Sequence, residues 1–400
     1  MTNFDIIIIG AGIVGLASAL KILETKPELK LFIVEKEDDI CKHQTGNNSG
    51  VIHSGIYYKP GSLKAENCKR GYKLLIDFCD KHNVNYKICG KVIVAVNENE
   101  LAALDNIYKR GIENGLQNLE ILKKEELKEI EPHVNGIKGI RVPQTGIIDF
   151  YEVAKAMETE VRKYNTEIVF NEEAKNIIIN KDQTEVITNK SSYKTKYLVS
   201  CAGLHSDRVA KLTDKNLPLR IIPFRGEYYK LKKEKRDLVN SLIYPVPDPA
   251  FPFLGVHFTK KINGEVEAGP NAVLAFKREG YSKFSFNAKD TLETFMWPGF
   301  LSIAKKYWRT GIGEFYRSFS KKAFVEALQK LIPEITEDDL EPGGAGVRAQ
   351  ACDISGGLLD DFYFVENKNV VHVCNAPSPA ATSSFAIGEI VANKVFTIMN

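Results

Sequence analysis

The run Gly10-Ala11-Gly12-Ile13-Val14-Gly15 limits what this chain can fold into more than any other feature. Before it stands the isoleucine-rich run Phe4 to Ile9, the kind of strand that a parallel sheet buries on both faces. After it, Ile13 to Thr25 carries small and apolar residues at helical spacing until Pro27 ends the helix, and Leu31 to Val34 reads as a second strand. Strand, turn, helix and strand in this order make a βαβ unit. Gly10 permits the tight turn, Gly12 lets backbone approach a pyrophosphate, and Gly15 allows close helix–strand packing. The helix N-terminus then offers N–H groups and a partial positive charge to phosphates. Glycine triplets also occur in ordinary turns, so the flanking elements and Glu35 carry the reading. Glu35 lies at the end of the second strand, where it can accept hydrogen bonds from a ribose 2′-hydroxyl and would repel the 2′-phosphate of NADP.

A chain of 400 residues is too long for one simple core, so one large domain with an insertion or two interleaved domains is expected. The net charge of +3, with no concentrated basic face, argues against a nucleic-acid partner. Seven scattered cysteines form no C-x-x-C pair, so no metal site and no disulfide framework is expected; they read as free thiols in a reducing compartment. The first strand opens at Phe4, which leaves little room for a targeting peptide, and no apolar stretch approaches the ~20 residues of a membrane span. The expected location is the cytoplasm.

Further along, helical patterns occupy Leu63–His82, Glu98–Gly111, Lys123–Ile130 and Glu152–Tyr164, with short strands near Val92–Val96, Ile168–Phe170, Ala174–Ile179 and Glu185–Thr188. Tyr197 to Ala202 is a second buried strand that ends in glycine. Arg220 to Gly269 alternates like antiparallel strands, Asp290 to Leu331 is helical and aromatic, and Val370 to Cys374 leads into a final helix, Ser383 to Ile398. The fold class is therefore α/β (α+β overall): a Rossmann-like dinucleotide domain with an interleaved antiparallel-sheet substrate domain. The first is assigned residues 1–85, 145–215 and 335–400, the second 86–144 and 216–334. Three features favour FAD over NAD: the motif near the N-terminus, the glycine-ended strand at Tyr197–Gly203, and a candidate cofactor loop at Asn375–Thr382.

From His43-Gln44-Thr45-Gly46-Asn47-Asn48-Ser49-Gly50 through Val51-Ile52-His53-Ser54-Gly55, the chain resembles the L-2-hydroxyglutarate oxidase/dehydrogenase family, part of the wider glycine oxidase and D-amino-acid oxidase-like flavoproteins. The resemblance runs on through Tyr57–Ala65, Pro223-Phe224-Arg225-Gly226, Tyr244–Pro247, Phe251–His257 and Gly269–Tyr281, then Gly346–Ala351 and Asn375–Ser384. Asn47 stands where the family usually carries histidine. The resemblance implies oxidation of L-2-hydroxyglutarate to 2-oxoglutarate with reduction of FAD, and a quinone or dioxygen as electron acceptor. Flavin oxidation of another 2-hydroxy or 2-amino acid is the neighbouring alternative; a flavin-binding scaffold without oxidation chemistry is the remaining one.

Such a reaction needs a base for the hydroxyl proton and cations for two carboxylates. His53 and His257 are the candidate bases. Arg348, in a glycine-flanked loop, matches a carboxylate-binding arginine of the resembling oxidases, and a guanidinium can grip a carboxylate with two parallel hydrogen bonds. Lys64 and Arg225 are candidates for the second carboxylate, with Arg225 equally readable as a structural cation; Tyr244 is a candidate to orient the hydroxyl. The FAD contacts expected are Gly10, Ala11, Gly12, Ile13, Gly15, Glu35 and Lys36, then Gln44, Thr45, Asn48, Ser49 and Gly50. Ala174, Cys201, Ala202 and Gly203 follow, with Ser378, Pro379, Ala380, Ala381 and Thr382 closing the set. Between Phe295 and Lys330 lie both tryptophans and seven basic residues. Two readings stay open there: a surface that lies peripherally on the inner face of the cell membrane, or a lid helix pair with an aromatic core and solvated lysines.

Overall fold

A computed structural model describes residues 3–181, 183–248 and 254–400. Its framework is two large sheets. In the first, five strands run parallel: Glu167–Val169, Leu31–Val34, Asn3–Ile9, Ser192–Ser200 and Val370–Asn375, side by side in that order. Ile6 and Ile8 point to one face, where they pack with Leu16, Phe385 and Ile387 of the Ile13–Thr25 and Ser384–Met399 helices. Ile7 and Ile9 point to the other, against a meander of Ala174–Ile179, Thr184–Thr188 and the first half of Ser192–Ser200. Both faces are covered, which is why the strand reads as unbroken isoleucine rather than as an alternation. Truncating any of the fully buried Ile6, Ile7 and Ile8 to alanine leaves a void costing roughly 2–5 kcal/mol, a large fraction of the few kcal/mol by which domains are stable.

Among the described residues the second sheet has nine strands. Eight are ordered Val273–Leu274, Leu219–Leu231, Val266–Gly269, His257–Lys260, Leu242–Pro245, Lys91–Ala95, Lys138–Val142 and Glu120–Lys123. The ninth, Leu340–Asp353, pairs antiparallel with Leu219–Leu231 from Leu219↔Asp353 to Leu231↔Leu340. Two expectations change here. The segment holding Arg348 is a strand of 14 residues in this second sheet, not a loop; its glycines and short side chains had hidden the period-two pattern. The sheet is mixed rather than wholly antiparallel, because Leu242–Pro245 runs parallel to Lys91–Ala95, with Tyr244 beside Ile93. A small third sheet joins Val51–Ile52, Gly146–Ile148 and Tyr86–Lys87.

Helices Ala288–Phe295, Pro298–Phe319 and Lys321–Leu328 are inserted between the Val273–Leu274 and Leu340–Asp353 strands of the second sheet, with Phe300 and Ile303 packed on Ile222 and Cys352. Trp308, Ile312, Tyr316 and Phe319 face outward, while Phe295 meets Phe300 edge-on at 5.3 Å between the first two of these helices. Among the described residues no helix is long and apolar enough to cross a membrane. The block Phe251-Pro252-Phe253, singled out above, lies outside the described residues.

Candidate active site

Between the two sheets opens a cavity of about 670 Å³, well within the range of small-molecule sites. One end is built from backbone. Gly10 adopts φ +103°, and a Cβ there would sit 2.5 Å from the Cys201 carbonyl oxygen. A Cβ on Gly15 would lie 2.0 Å from the Gly10 oxygen. No side chain caps the helix at Gly12, so its N-terminus is open to the cavity. The Ile13 N–H donates to Thr45 Oγ1 at 3.2 Å. The buried Glu35 carboxylate accepts the Ala11 N–H on Oε2 at 2.7 Å and the Glu37 N–H on Oε1 at 3.0 Å. Each oxygen keeps a lone pair for a further donor. An uncapped helix end, a glycine cradle and an anchored carboxylate fit the pyrophosphate and ribose of a dinucleotide.

Every cofactor contact expected from the sequence lines this cavity except Ala11, Gly15 and Gly50, which stand behind its wall. Ala11 is bonded to Glu35, Gly15 is packed on Gly10, and the Gly50 N–H bonds Asn48 Oδ1 at 2.8 Å. Asn47 closes its loop by donating to the carbonyls of Lys42 and His43 at 3.1 and 2.8 Å. Lys36 is ion-paired with Glu37 and Glu279, and Glu279 also accepts from His205 at 2.8 Å. The His205 bond, then Lys36, holds the Glu279 carboxyl far below its ordinary range. This ties the first sheet's loops to the 270–286 segment over the cavity.

The other end is built from side chains. His53, Lys64 and Arg348 line the cavity wall. His53 follows the Val51–Ile52 strand, and its N–H donates to Thr382 Oγ1 at 3.1 Å, which joins it to the Asn375–Thr382 loop. Lys64 sits in the first turn of the Leu63–His82 helix, bonded to Asp360 at 2.7 Å. Behind this wall lie His257 and Tyr244, their rings 4.0 Å apart. His257 Nδ1 is 2.9 Å from the Gly255 carbonyl, so Nδ1 carries the proton and Nε2 keeps the lone pair. Burial, then the nearby positive charge of Lys91, pushes the His53 imidazole down to about 3. Burial likewise pushes His257 down to about 4, with Arg348 and Lys91 adding to it. Both imidazoles are therefore neutral across the physiological range.

Arg225 is not part of this group. It is buried and bonded to Glu227 Oε1 at 2.9 Å and to the Ser282 carbonyl at 2.9 Å, away from the cavity. Two groups were not foreseen from the sequence. Lys91 is fully buried behind the wall, and the Tyr57 ring lies 4.5 Å from its ammonium. A lysine opening an apolar strand reads as a solvent-facing strand end, so nothing in the local pattern marks it.

The FAD dependent oxidoreductase family (DAO) matches residues 5–394. An L-2-hydroxyglutarate dehydrogenase of Indibacter alkaliphilus is 54% identical over 97% of this chain and 98% of its own length. The chain belongs to the FAD-dependent oxidoreductase family, with the L-2-hydroxyglutarate dehydrogenases. It is an enzyme, and its cofactor is FAD. The mitochondrial L-2-hydroxyglutarate dehydrogenase of Homo sapiens is 45% identical over 98% of this chain and 89% of that protein. Among solved structures, the L-α-glycerophosphate oxidase of Mycoplasma pneumoniae with FAD bound superposes with a TM-score of 0.81 at 23% identity, covering 100% of this chain and 95% of that one. Glycine oxidase from Geobacillus kaustophilus gives 0.74 at 14% identity, covering 99% and 95%. These likenesses establish the FAD-dependent oxidoreductase fold for the cavity described above.

Proposed function

We propose that this protein oxidises L-2-hydroxyglutarate to 2-oxoglutarate. The observation that carries the reading is the charge of the cavity's side-chain end. Lys64, Lys91 and Arg348 converge there with two neutral imidazoles, and every charged neighbour acting on His53 is positive or a second histidine. Positive charge gathered from three cations around two neutral imidazoles favours a ligand that brings negative charge. A 2-hydroxy dicarboxylate brings two. A 2-amino acid would bring an ammonium into a cationic pocket, which disfavours that alternative.

FAD, when bound, supplies the acceptor for the C2 hydride. The roles that fall to the protein are these. Arg348 grips one carboxylate and Lys64 meets the other. His53, on the cavity wall, takes the hydroxyl proton, while His257 and Tyr244 back it from behind. Gly10, Gly12, Ile13 and Glu35 hold the ADP part, and Gln44, Thr45, Asn48 and Ser49 with residues 378–382 hold the flavin part. Anaerobic mixing of the FAD-loaded protein with L-2-hydroxyglutarate should bleach the flavin, and the D-isomer, glycine and sarcosine should not. His53→Ala should slow bleaching roughly 10²–10⁴-fold. Equal reduction by an amino acid would sink the substrate reading.

For the electron acceptor we favour a membrane quinone. Trp308, Ile312, Tyr316 and Phe319 form one stripe on the Pro298–Phe319 helix, each 54–67% exposed, and Lys305, Lys306 and Arg309 flank it. An exposed apolar stripe with a basic border fits an anionic lipid surface at the inner face of the cell membrane. Co-sedimentation with anionic vesicles that high salt weakens is expected. Absence of binding at low salt would leave dioxygen as the acceptor to test.

A further inference from the structure

Lys91 opens the Lys91–Ala95 strand and is 2% exposed. Its ammonium lies 4.5 Å from the centre of the Tyr57 ring and 4.9 Å from that of Tyr244. The Tyr244 ring in turn lies 4.0 Å from that of His257, tilted by 37°. Among the described residues, the ammonium makes no ion pair with a carboxylate. The groups that face it are the two tyrosines, the Cys68 thiol from the Leu63–His82 helix, and the imidazoles of His53 and His257. Arg348 faces the same imidazoles from the Leu340–Asp353 strand. A buried lysine with aromatic faces and no anion is rarely retained for stability.

We propose that Lys91 is a positioning residue for the oxidation: from behind the wall, its positive charge keeps the His53 and His257 imidazoles free of protons once a dianionic substrate has entered. The inference rests on the reading of a histidine as proton acceptor. Two carboxylates beside an imidazole favour the imidazolium, which cannot take the hydroxyl proton. Lys64 and Arg348 are neutralised by those same carboxylates. Lys91, set back behind Tyr57 and Tyr244, is not, so its charge still acts on the imidazoles in the complex. Burial pushes the Lys91 ammonium down to about 7. Near neutrality the free site therefore holds that charge loosely, and an arriving dianion draws it back on.

The sign of the effect is definite. Removing a positive neighbour raises the imidazole pKa, so the neutral base is lost at a higher pH. With FAD-loaded Lys91→Met, the acid limb of the limiting rate of anaerobic flavin reduction by L-2-hydroxyglutarate should move up by roughly one pH unit. That corresponds to a rate about tenfold lower on the limb and less than about twofold lower above it. Lys91→Arg, which keeps the charge, should keep the limb of the unaltered protein. Lys91→Gln provides a second neutral variant should Lys91→Met fail to load FAD. A loss equal at every pH, an unmoved limb, or the same displacement in Lys91→Arg would overturn the proposal. His53→Ala separates this from failure of the base reading. If it reduces flavin at full rate while the Lys91→Met limb still moves, Lys91 stands with His257 as the acceptor; if it abolishes reduction and the limb is unmoved, Lys91 alone falls.

Discussion

The two ends of the cavity recognise their ligand by opposite means. At the ADP end the contacts come from backbone: a glycine turn, a helix terminus and one carboxylate anchored by two N–H groups. At the reaction end they come from charged and aromatic side chains on separate elements, from the His53 loop to the Arg348 strand. The first end cannot accept a Cβ, and the second cannot accept a lost charge. Substitutions at one end should therefore change FAD retention and those at the other should change substrate turnover, and crossing these effects is how the comparison can be broken.

The largest effect is expected at Gly15. A valine there would bring Cβ within 2.0 Å of the Gly10 oxygen, a backbone atom that cannot step aside. Gly15→Val should emerge without flavin absorbance near 450 nm, an approximate band position typical of bound oxidised flavin, and with a lowered Tm. A yellow protein with full flavin content would show that the turn has more slack than its geometry allows. Next comes Arg348→Met, which removes a charged hydrogen-bonding group from the substrate end. KM for L-2-hydroxyglutarate should rise about a hundredfold or more, as the loss of a charge-assisted bidentate contact implies. FAD stoichiometry should stay near one. If flavin is lost along with turnover, the two ends are not separable.

This contrast also explains what was legible in the sequence. The βαβ unit, the Leu63–His82 helix and the strand at Ala174–Ile179 stand where periodicity and caps place them, because each is decided within a few neighbouring residues. The Leu340–Asp353 strand was not legible. Its Gly343, Gly344 and Gly346 read as a loop, and only the long pairing with Leu219–Leu231 makes it extended. The reaction end followed the same rule. His53, Lys64 and Arg348 were found through the family blocks rather than through spacing, since what unites them is tertiary: the His53 N–H meets Thr382 across 329 residues of chain. Lys91 carries no local mark, because a lysine at a strand's start is exposed in most proteins, whereas here it is buried with the Tyr57 and Tyr244 rings against its ammonium. Arg225 shows the converse, an arginine inside a family block whose partner, Glu227, stands two residues away.

The smallest effect belongs to Glu35, and it sharpens the comparison most. This residue is a charged side chain bonded to the backbone of the ADP end, so it tests whether charge or geometry matters there. Glu35→Gln keeps the shape but turns one acceptor into an N–H donor. Because Oε2 and Oε1 already accept the Ala11 and Glu37 N–H groups, one of those bonds must be lost whichever way the amide turns. An unsatisfied buried donor costs roughly 1–3 kcal/mol, so FAD affinity should weaken about tenfold in a flavin-fluorescence titration, with the bleaching rate of the fully loaded protein unchanged. A change in that rate without a change in affinity would place Glu35 with the reaction end and dissolve the division. A variant that loses affinity alone would show that the ADP end needs this carboxylate as an acceptor for neighbouring N–H groups and ribose hydroxyls, not as a charge that reaches the chemistry.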